Sequence, residues 1–413
     1  MRNNLDISGH ITLEGSKSIL NRVLIIASYL KRPIKIINPS NCLDIATMAD
    51  NLCKLGMKID KSQNTWIVSP PEKLNKSGEL SILDSGTAYR FITARIASIQ
   101  NGEYIVNISD QLKPRPIEPL LDILNNISSK IEMKGDSLII NGALLEGGIF
   151  NLPADISSQF ISSLLLIAPS YKNNLELILK GEVVSRSYID MTIKIMRDFG
   201  VIADFDGKRI IIRAGQKYND LEEYKIEPDY SSACYFWALG ALSKSVVSTN
   251  KINTTSLQPD YKFLKILEKI GAKIEIEKDK ICVSHGKLKG LSVDMRDMPD
   301  QVPTLAVLAL FADSKTAIIN IEHLKHKESN RIEALNTELS NIGANINYNN
   351  GILTINPIRT IPKTITLETY YDHRLVMAFH ILMILFPHVS ISNISSVDKS
   401  YPKFLEDIKS LKS

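Results

Sequence analysis

Cysteine is scarce in this sequence, and long apolar runs are missing. The 413 residues include four cysteines without a CxxC pair, so a zinc site or a disulfide framework has little support. The cysteines are Cys42, Cys53, Cys234 and Cys282. The longest apolar stretches, 302–312 and 377–387, are about half of a membrane span, and the first residues lack the apolar core of a signal peptide. We therefore expect a cytoplasmic protein with reduced cysteines and no membrane partner.

A charge excess of one sign is missing too. Lys and Arg number 49 against 45 Asp and Glu, which gives a net charge of +4. Nucleic-acid-binding proteins normally show basic runs or a basic face, so we expect no nucleic-acid partner. The near balance still allows a locally basic cleft that binds a small anionic substrate. The length and the 44% hydrophobic content are typical of a globular protein with two or three domains.

Several motifs that mark catalytic sites are absent. The sequence contains no GxxxxGK[ST], no GxGxxG after a strand, no HExxH and no GxSxG, which mark nucleotide, zinc-protease and hydrolase sites. His323 and His326 form an HxxH, but no third ligand lies nearby in the sequence. We interpret them as histidines on a helix surface, and we expect no bound metal.

What is present is a repeat that occupies the whole chain. A polar turn that opens an apolar helix occurs six times, at intervals of 69 to 74 residues. Its markers are Ser16, Ser85, Ser157, Ser231, Gln301 and Asp372. A second series of helix starts has intervals of 69 to 72 residues. Its markers are Asp44, Pro116, Tyr188, Asp260, Ser329 and Tyr401. Because missing a repeat misassigns the whole fold, we interpret the chain as six units of about 70 residues, each with two helices and several strands.

Glycines divide these units further. Three helices of the second marker series end in a glycine, which is typical of a helix C-cap. An alternating apolar and polar pattern follows each glycine, which is typical of a half-buried strand. These glycines are Gly200, Gly271 and Gly343. Three dipeptides predict hairpin turns between strands. They are Asn141–Gly142, Asp206–Gly207 and Asn350–Gly351. Six units suggest two domains of three, and the proline in Glu227-Pro228-Asp229 favours a boundary there.

Cations recur at the helix starts. The first turn of a helix has unpaired N–H groups and the positive end of the dipole, so it binds anions. In this chain those turns also carry basic side chains, and we place Lys327 and Arg331 on one helical face because they are four residues apart. The set is Lys17, Arg22, Arg115, Lys327, Arg331, Arg374 and Lys399. A ligand with several phosphate or carboxylate groups would explain this placement.

Six fragments in order resemble one known family. They are Gly-Ser-Lys-Ser-x-x-Asn-Arg from residue 15, Ser-Gly-Thr-Ala-x-Arg from 85, Arg-Pro-Ile from 115, Ser-Ser-Gln-Phe from 157, Lys-Glu-Ser-x-Arg from 327 and Asp-His-Arg from 372. Each is weak alone, but together they cover almost the entire chain. The sequence thus resembles the 5-enolpyruvylshikimate-3-phosphate (EPSP) synthase family, the 3-phosphoshikimate 1-carboxyvinyltransferases.

The resemblance implies an architecture. The fold would be an inside-out α/β barrel of two domains, each of three βαβαββ repeats. Residues 16–227 would form the first domain, residues 1–15 and 228–413 the second, and the active site would lie in the cleft between them. The resemblance also implies a monomer that uses no cofactor and binds two small anionic substrates.

The implied reaction transfers the enolpyruvyl group of phosphoenolpyruvate to the 5-hydroxyl of shikimate-3-phosphate and releases phosphate by addition and elimination. It serves the shikimate pathway to chorismate and aromatic amino acids. By resemblance, Asp300 would accept the hydroxyl proton, and Glu328 with Lys17 would handle the proton of the enol methylene. A general base must lie within hydrogen-bond reach of its proton.

The resemblance also implies the binding residues. Shikimate-3-phosphate would contact Lys17, Ser18, Arg22, Ser157, Ser158, Gln159, Ser185, Asp300 and Lys327. Phosphoenolpyruvate would contact Lys17, Gly86, Arg115, Gln159, Arg331, Arg374 and Lys399. Serine hydroxyls and helix-start N–H groups suit a phosphate, and Gly86 would let the backbone approach the smaller ligand.

Two other hypotheses remain open from the sequence. UDP-N-acetylglucosamine enolpyruvyl transferase shares this fold but carries a reactive cysteine near the Arg-Pro segment, whereas residues 110–116 here contain none. A phosphate-binding protein without chemistry would not need Asp300 and Glu328 among the cations. Two positions depart from the family pattern: His323 stands where Asn is common, and Asn330 where Asp is usual, which could loosen the orientation of Arg331.

Overall fold

A computed structural model describes residues 6–250, 256–358, 360–361 and 363–411. In these residues the chain forms twelve α-helices, numbered in chain order. They are α1 (Lys17–Ala27), α2 (Leu43–Lys54), α3 (Gly86–Ala97), α4 (Glu118–Asn126), α5 (Ser158–Leu166), α6 (Arg186–Asp198), α7 (Tyr230–Leu242), α8 (Phe263–Ile270), α9 (Val302–Ala309), α10 (Arg331–Asn341), α11 (His373–Leu385) and α12 (Phe404–Ser410).

The same residues form twenty-two strands and several 3-10 helices. The strands are β1 (Gly9–Ile11), β2 (Ile34–Ile37), β3 (Lys58–Lys61), β4 (Thr65–Ser69), β5 (Ser77–Ser81), β6 (Gly102–Asn107), β7 (Lys130–Lys134), β8 (Ser137–Gly142), β9 (Gly148–Pro153), β10 (Leu175–Lys180), β11 (Ala203–Phe205), β12 (Arg209–Ile212), β13 (Glu223–Lys225), β14 (Val247–Asn250), β15 (Lys273–Ile276), β16 (Lys280–Ser284), β17 (Ser292–Asp294), β18 (Thr316–Ile319), β19 (Ile346–Asn349), β20 (Ile352–Ile355), β21 (Ile365–Leu367) and β22 (Val389–Ile391). The 3-10 helices are Ala168–Ser170, Pro259–Lys262, Pro299–Gln301, Glu322–His326 and Ile394–Lys399.

The sheets repeat one topology, as the sequence repeat predicts. Five of the described sheets have four strands, in the orders β5-β6-β8-β7, β9-β10-β12-β11, β13-β2-β4-β3, β1-β14-β16-β15 and β17-β18-β20-β19; β21 and β22 form a pair. In each four-stranded sheet the first two strands are parallel and the rest antiparallel. A parallel pair needs a crossover, which α3, α5 and α9 supply in three of the sheets; in the other two, the paired strands β13 and β2, and β1 and β14, lie far apart in the chain. The unit is therefore βαβαββ.

The chain divides into two compact units. The first unit is Gly15–Ile226, and the second is Met1–Glu14 with Glu227–Ser413. Each split falls one residue before the boundary expected from the sequence, and residues 1–5 of that expectation lie outside the described part. Two long-range pairings account for the division. β13, at the end of the first unit, pairs with β2, and β1, from the N-terminal segment, pairs with β14 in the second.

The helices are of two kinds, and the difference lies in which faces are buried. Every residue of α7 and α9 is buried, which is typical of helices enclosed on all sides. In α8 only one face is buried. The helices that begin at the polar turns of the first marker series are hereafter the inner helices. They are α1, α3, α5, α7, α9 and α11. Because these helices are largely buried, their packing fixes the positions of the polar turns at which they begin.

Most of the local predictions are confirmed, and one hairpin is wrong. Gly200, Gly271 and Gly343 have positive φ after their helices, and the dipeptides at 206 and 350 join hairpins. Asn141–Gly142 instead belongs to β8. A Cβ on Gly142 would lie 2.4 Å from the carbonyl oxygen of Ile99, so this glycine is required by the close approach of a helix end rather than by a turn.

Candidate active site

In the first unit, a salt bridge fixes the lysine at the start of α1. Lys17 Nζ lies 2.7 Å from Asp44 Oδ2, and their side chains are only 12% and 5% exposed. Asp44 stands in the first turn of α2, so the two marker series meet here. The pair holds an ammonium group in place at a helix start. The sequence indicates Asp44 only as the start of a helix, and it gives no sign that this carboxylate is the partner of Lys17.

Arg22 is a buried cation whose described hydrogen bonds go to neutral groups. Its Nε donates to Thr192 Oγ1 at 2.7 Å, and its Nη1 donates to the Ser18 carbonyl oxygen at 2.7 Å. Nη2 is 3.4 Å from Ser162 Oγ and 3.3 Å from the Tyr188 carbonyl oxygen. Burial lowers the pKa of Arg22 to about 10. Since burying a charge without a counterion is costly, this position favours an anionic ligand.

Gly86 and Arg115 lie against each other, as two residues expected on the same ligand. A Cβ at Gly86 would be 2.4 Å from Arg115 Nη1 and 2.7 Å from its Cζ. Arg90, which the sequence motif contained but the site prediction left out, donates from Nη1 to the Gly86 carbonyl oxygen at 3.1 Å and from Nη2 to that of Pro116. It therefore ties the start of α3 to the Arg115 loop.

Gln159 lies beside the same helix start. Its Nε2 donates to Thr87 Oγ1 at 3.3 Å, next to Gly86. Ser157 caps α5 by accepting from Gln159 N at 3.2 Å, and Ser158 is buried in the first turn. Ser185 stands at the N-cap position of α6 with a left-handed backbone, φ 53°, and its side chain makes no capping hydrogen bond. The structure thus brings Gln159 to Gly86, and it places the three serines at two helix starts.

In the second unit, one guanidinium binds three carboxylates. Arg331 Nε donates to Asp372 Oδ2 at 2.7 Å, and Nη1 donates to Asp300 Oδ1 at 2.9 Å. Its Nη2 donates to Glu328 Oε2 at 2.8 Å and to Asp372 Oδ1 at 3.2 Å. Arg331 is 1% exposed and Asp372 is fully buried, whereas Asp300 and Glu328 remain 22% and 13% exposed. The two carboxylates that were predicted to be catalytic are therefore the two that stay accessible.

Asp300 bridges two arginines. Arg374 Nη2 donates to Asp300 Oδ2 at 3.0 Å, so each oxygen of this carboxylate accepts from a different guanidinium. Burial alone would raise the pKa of Asp300, but Arg374 and Arg331 outweigh it and hold that pKa far below its usual range. Lys327 acts on Asp300 in the same direction. Asp300, Glu328, Arg331 and Arg374 form a direct network with Asp372, hereafter the carboxylate–arginine cluster.

Three expectations in this region need correction. Lys327 does not share a helical face with Arg331, because α10 begins only at Arg331. Asn330 does not loosen Arg331: it caps α10 by accepting from Glu333 N at 3.3 Å, while Asp372 fixes the guanidinium. His326 is exposed, but His323 is buried. Burial and the nearby Lys327 lower the pKa of His323 to about 3, so this imidazole is neutral.

Lys399 and Asp372 are the remaining cases. Lys399 is buried at the end of the 3-10 helix Ile394–Lys399, and among the described residues no hydrogen bond joins it to the carboxylate–arginine cluster. Asp372 was missed as a functional residue. It caps α11 by accepting from Arg374 N at 2.9 Å while it orients Arg331. The Asp-His-Arg fragment was the signal that could have identified it.

The inner helices of the two units are capped differently. In the first unit the caps are serines, which are neutral. In the second unit, Asp229 caps α7 and Asp372 caps α11, whereas Gln301 before α9 makes no side-chain cap hydrogen bond. A carboxylate at a helix start already uses the anion-binding property of that end. The first unit therefore keeps helix starts that can bind a phosphate.

Among the described residues, no cluster of His, Cys, Asp and Glu could hold a metal ion, and no described helix is long and apolar enough to cross a membrane.

A sequence model of EPSP synthase (3-phosphoshikimate 1-carboxyvinyltransferase) matches residues 1–408. The chain belongs to the EPSP synthase family. Among its relatives, the 3-phosphoshikimate 1-carboxyvinyltransferase of Methanocaldococcus jannaschii is 35% identical over 414 residues, which cover 98% of this chain and 96% of that protein. The enzyme of that name from Vibrio vulnificus is 33% identical over 415 residues, with coverage of 98% and 96%.

Solved structures of other proteins have the same fold as this chain. An EPSP synthase from Acinetobacter baumannii matches with a TM-score of 0.79 at 20% identity and covers 99% of this chain and 98% of its own. The enolpyruvyl transferase NikO from Streptomyces tendae matches with a TM-score of 0.76 at 15% identity, with coverage of 100% and 97%. The predicted inside-out α/β fold is confirmed. Family membership confirms the predicted transferase of the shikimate pathway, and favours it over the two other hypotheses.

Proposed function

We propose that this protein transfers the enolpyruvyl group of phosphoenolpyruvate to the 5-hydroxyl of shikimate-3-phosphate and releases phosphate. The observation that carries the proposal is the carboxylate–arginine cluster, in a chain that the family model matches almost from end to end. The two accessible carboxylates can transfer protons, and the two buried guanidiniums beside them can bind anions, so both functions are available in one place. A protein that only binds phosphate has no use for the carboxylates.

The first unit offers the groups that suit shikimate-3-phosphate. We assign the phosphate to the start of α5, where Ser157, Ser158 and Gln159 stand with the helix N–H groups. Arg22 and Lys17 would supply the buried cations for the remaining polar groups of the ligand. Ser18, Ser185, Asp300 and Lys327 complete the proposed set.

Phosphoenolpyruvate would be bound by cations and by a glycine. Gly86, Arg115 and Gln159 form one contiguous group in the first unit, and Lys17 would join them. Arg331, Arg374 and Lys399 are the assigned residues of the second unit. Guanidinium forks suit the carboxylate and phosphate groups of this ligand. The absence of a side chain at Gly86 leaves the space that the Arg115 guanidinium occupies.

In the proposed chemistry the 5-hydroxyl oxygen attacks C2 of phosphoenolpyruvate, and C3 is protonated. Asp300 accepts the hydroxyl proton, and Glu328 with Lys17 delivers the proton to C3. The tetrahedral adduct then returns a proton from C3 to Glu328, and the C2–O bond to phosphate breaks as the leaving phosphate takes the proton held by Asp300. Cations that surround the adduct stabilise the charge it gathers. The bond from C2 to the 5-hydroxyl oxygen forms and the bond from C2 to the phosphate oxygen breaks, so the oxidation state of C2 does not change. The reaction therefore needs neither an electron acceptor nor a covalent enzyme intermediate.

The charge on Asp300 constrains this assignment. Two arginines stabilise the carboxylate, and a base is most effective when its pKa lies near the working pH. Substrate anions that bind Arg331 and Arg374 would share their hydrogen bonds and so weaken their hold on Asp300. The proposed base thus becomes stronger in the substrate complex than in the free protein.

A phosphate-release assay tests the proposed reaction. We expect phosphate release from phosphoenolpyruvate only when shikimate-3-phosphate is present, and none when UDP-N-acetylglucosamine replaces it. Release with UDP-N-acetylglucosamine alone would identify the other transferase. No release with either acceptor would contradict enolpyruvyl transfer.

We also propose that the protein acts as a monomer in the cytoplasm. The four cysteines are free, and three of them are buried, which suits a reducing compartment. Sedimentation at micromolar concentration should give a single species near the chain mass of 46.1 kDa. A species of twice that mass would contradict the monomer.

A further inference from the structure

One fully buried carboxyl group, that of Asp260, lies outside the carboxylate–arginine cluster. Asp260 lies in the 3-10 helix Pro259–Lys262 and has no exposed surface. Its Oδ2 accepts a hydrogen bond from Ser231 Oγ in the first turn of α7. The Sγ of Cys234, on the same helix, lies 3.7 Å from the Asp260 carbonyl oxygen. None of the roles assigned above uses this carboxyl group.

The charged groups that act on Asp260 come from three other elements. They are Asp229 at the start of α7, Asp300 in the 3-10 helix Pro299–Gln301 and Arg374 on α11. Two hydrogen bonds meet at Ser231: Gln301, next to Asp300, donates from Nε2 to the Ser231 carbonyl oxygen at 3.2 Å, and the Ser231 hydroxyl donates to Asp260. Asp260 is therefore coupled both to the proposed base and to one of its arginines.

We propose that Asp260 is a positioning residue whose negative charge keeps Asp300 basic enough to accept the proton of the substrate hydroxyl. Two arginines hold the Asp300 carboxylate in its ionised form. A second carboxylate nearby opposes them, because a like charge disfavours ionisation. It also competes for the positive charge of Arg374. This inference rests on the proposed function.

The charge state of Asp260 changes in a useful range. Burial, and then the charge of Asp300, raise the pKa of Asp260 to about 6, and the Ser231 hydrogen bond and Arg374 oppose that rise. Asp260 is therefore ionised at pH 8 and protonated below pH 5. Protonation removes the opposing charge, so the contribution of Asp260 to turnover should disappear as the pH falls.

The test is the ratio of wild-type to variant kcat between pH 4.5 and 8.5, with both substrates saturating. Phosphate monoesters themselves titrate near pH 6, and the ratio cancels that effect. For Asp260→Asn, which keeps an oxygen acceptor for Ser231, we expect a ratio of about ten at pH 8 that approaches one below pH 5. For Ser231→Ala, we expect the kcat profile of the variant to move to higher pH, because the lost hydrogen bond lets the Asp260 pKa rise further.

Asp407→Asn is the matched control. Burial raises the pKa of Asp407 as well, and its carboxylate accepts from the Tyr401 hydroxyl, but the charges that act on it are Lys403, Glu406 and Glu14. Its ratio should stay near one at every pH.

A ratio for Asp260→Asn that differs from one but does not change with pH would show a structural role and overturn the inference. A ratio of one throughout would overturn it as well. Wild-type protein without transferase activity at any pH would refute the proposed function itself, so the two failures are distinct.

Discussion

Substituting Gly86 by Ala tests how tightly the Arg115 guanidinium is placed. A Cβ there would lie 2.4 Å from Nη1, 2.7 Å from Cζ and 2.8 Å from Nη2 of Arg115, whereas ordinary contact begins at 3.4 Å. The guanidinium must therefore move by about 1 Å. Arg115 is 8% exposed, so it has little free space to move into.

The expected cost falls on binding of phosphoenolpyruvate and not on folding. A displacement of about 1 Å of a positioning group can cost up to about 10²-fold. Alanine is favoured over glycine inside helices by roughly 0.5–1 kcal/mol, and Gly86 opens α3 without a positive φ. We therefore expect KM for phosphoenolpyruvate to rise ten- to a hundredfold, with little change in KM for shikimate-3-phosphate and no fall in Tm.

The assay is steady-state phosphate release with each substrate varied in turn. Gly78→Ala is the control, since a Cβ at Gly78 meets nothing within 4 Å, and it should behave as wild type. In a double-mutant cycle, Gly86→Ala should add little to the loss caused by Arg115→Ala, because the residues act through one contact. Equal rises in both KM values, or full additivity in the cycle, would refute this reasoning.

Three further predictions concern the second unit. Glu328→Gln should lower kcat by about 10²–10⁴-fold, whereas Glu333→Gln, on the exposed face of the same segment, should not; a Glu328 variant with wild-type turnover would remove the proton-transfer role. Asp372→Asn weakens the partner that accepts two hydrogen bonds from buried Arg331, and we expect a loss of about 3–5 kcal/mol in the free energy of unfolding, measured by urea titration; an unchanged midpoint would show that Arg331 is held by other groups. Folding raises the pKa of Asp260 from 3.8 to about 6, so its contribution to stability is lost as the pH rises through that value. Between pH 4 and 7.5, the free energy of unfolding of wild type should therefore fall by up to about 3 kcal/mol relative to that of Asp260→Asn. A constant difference between the two proteins would contradict the buried charge.

The repeat was predictable because it is written in local chemistry. Helix caps, apolar helices and glycine C-caps are short-range features, and the six copies reinforce one another. Asn141–Gly142 misled because the same dipeptide serves two purposes. A turn needs its positive φ, whereas β8 needs a position without a side chain against the Ile99 carbonyl oxygen, and only the packed structure shows which requirement applies.

The accessible carboxylates could be predicted, but the network that fixes them could not. Asp300, Glu328 and Asp372 lie far apart in sequence and meet on Arg331 because two inner helices and α10 begin at the same place. Asp260 gave no signal beyond marking a helix start. Its function depends on burial and on charges from three elements, and burial of a polar side chain cannot be read from a single sequence.

Reaction in deuterium oxide tests the central claim of addition and elimination most directly. Protonation of C3 creates a methyl group that later loses one of its three hydrogens, so solvent deuterium must enter the methylene of the enolpyruvyl product. We predict deuterium there by proton and carbon NMR for the wild-type protein, and deuterium in the product of Glu328→Gln as well, formed about 10²–10⁴-fold more slowly. Product formed with a fully protonated methylene group would contradict addition and elimination, and with it the roles given to Asp300 and Glu328.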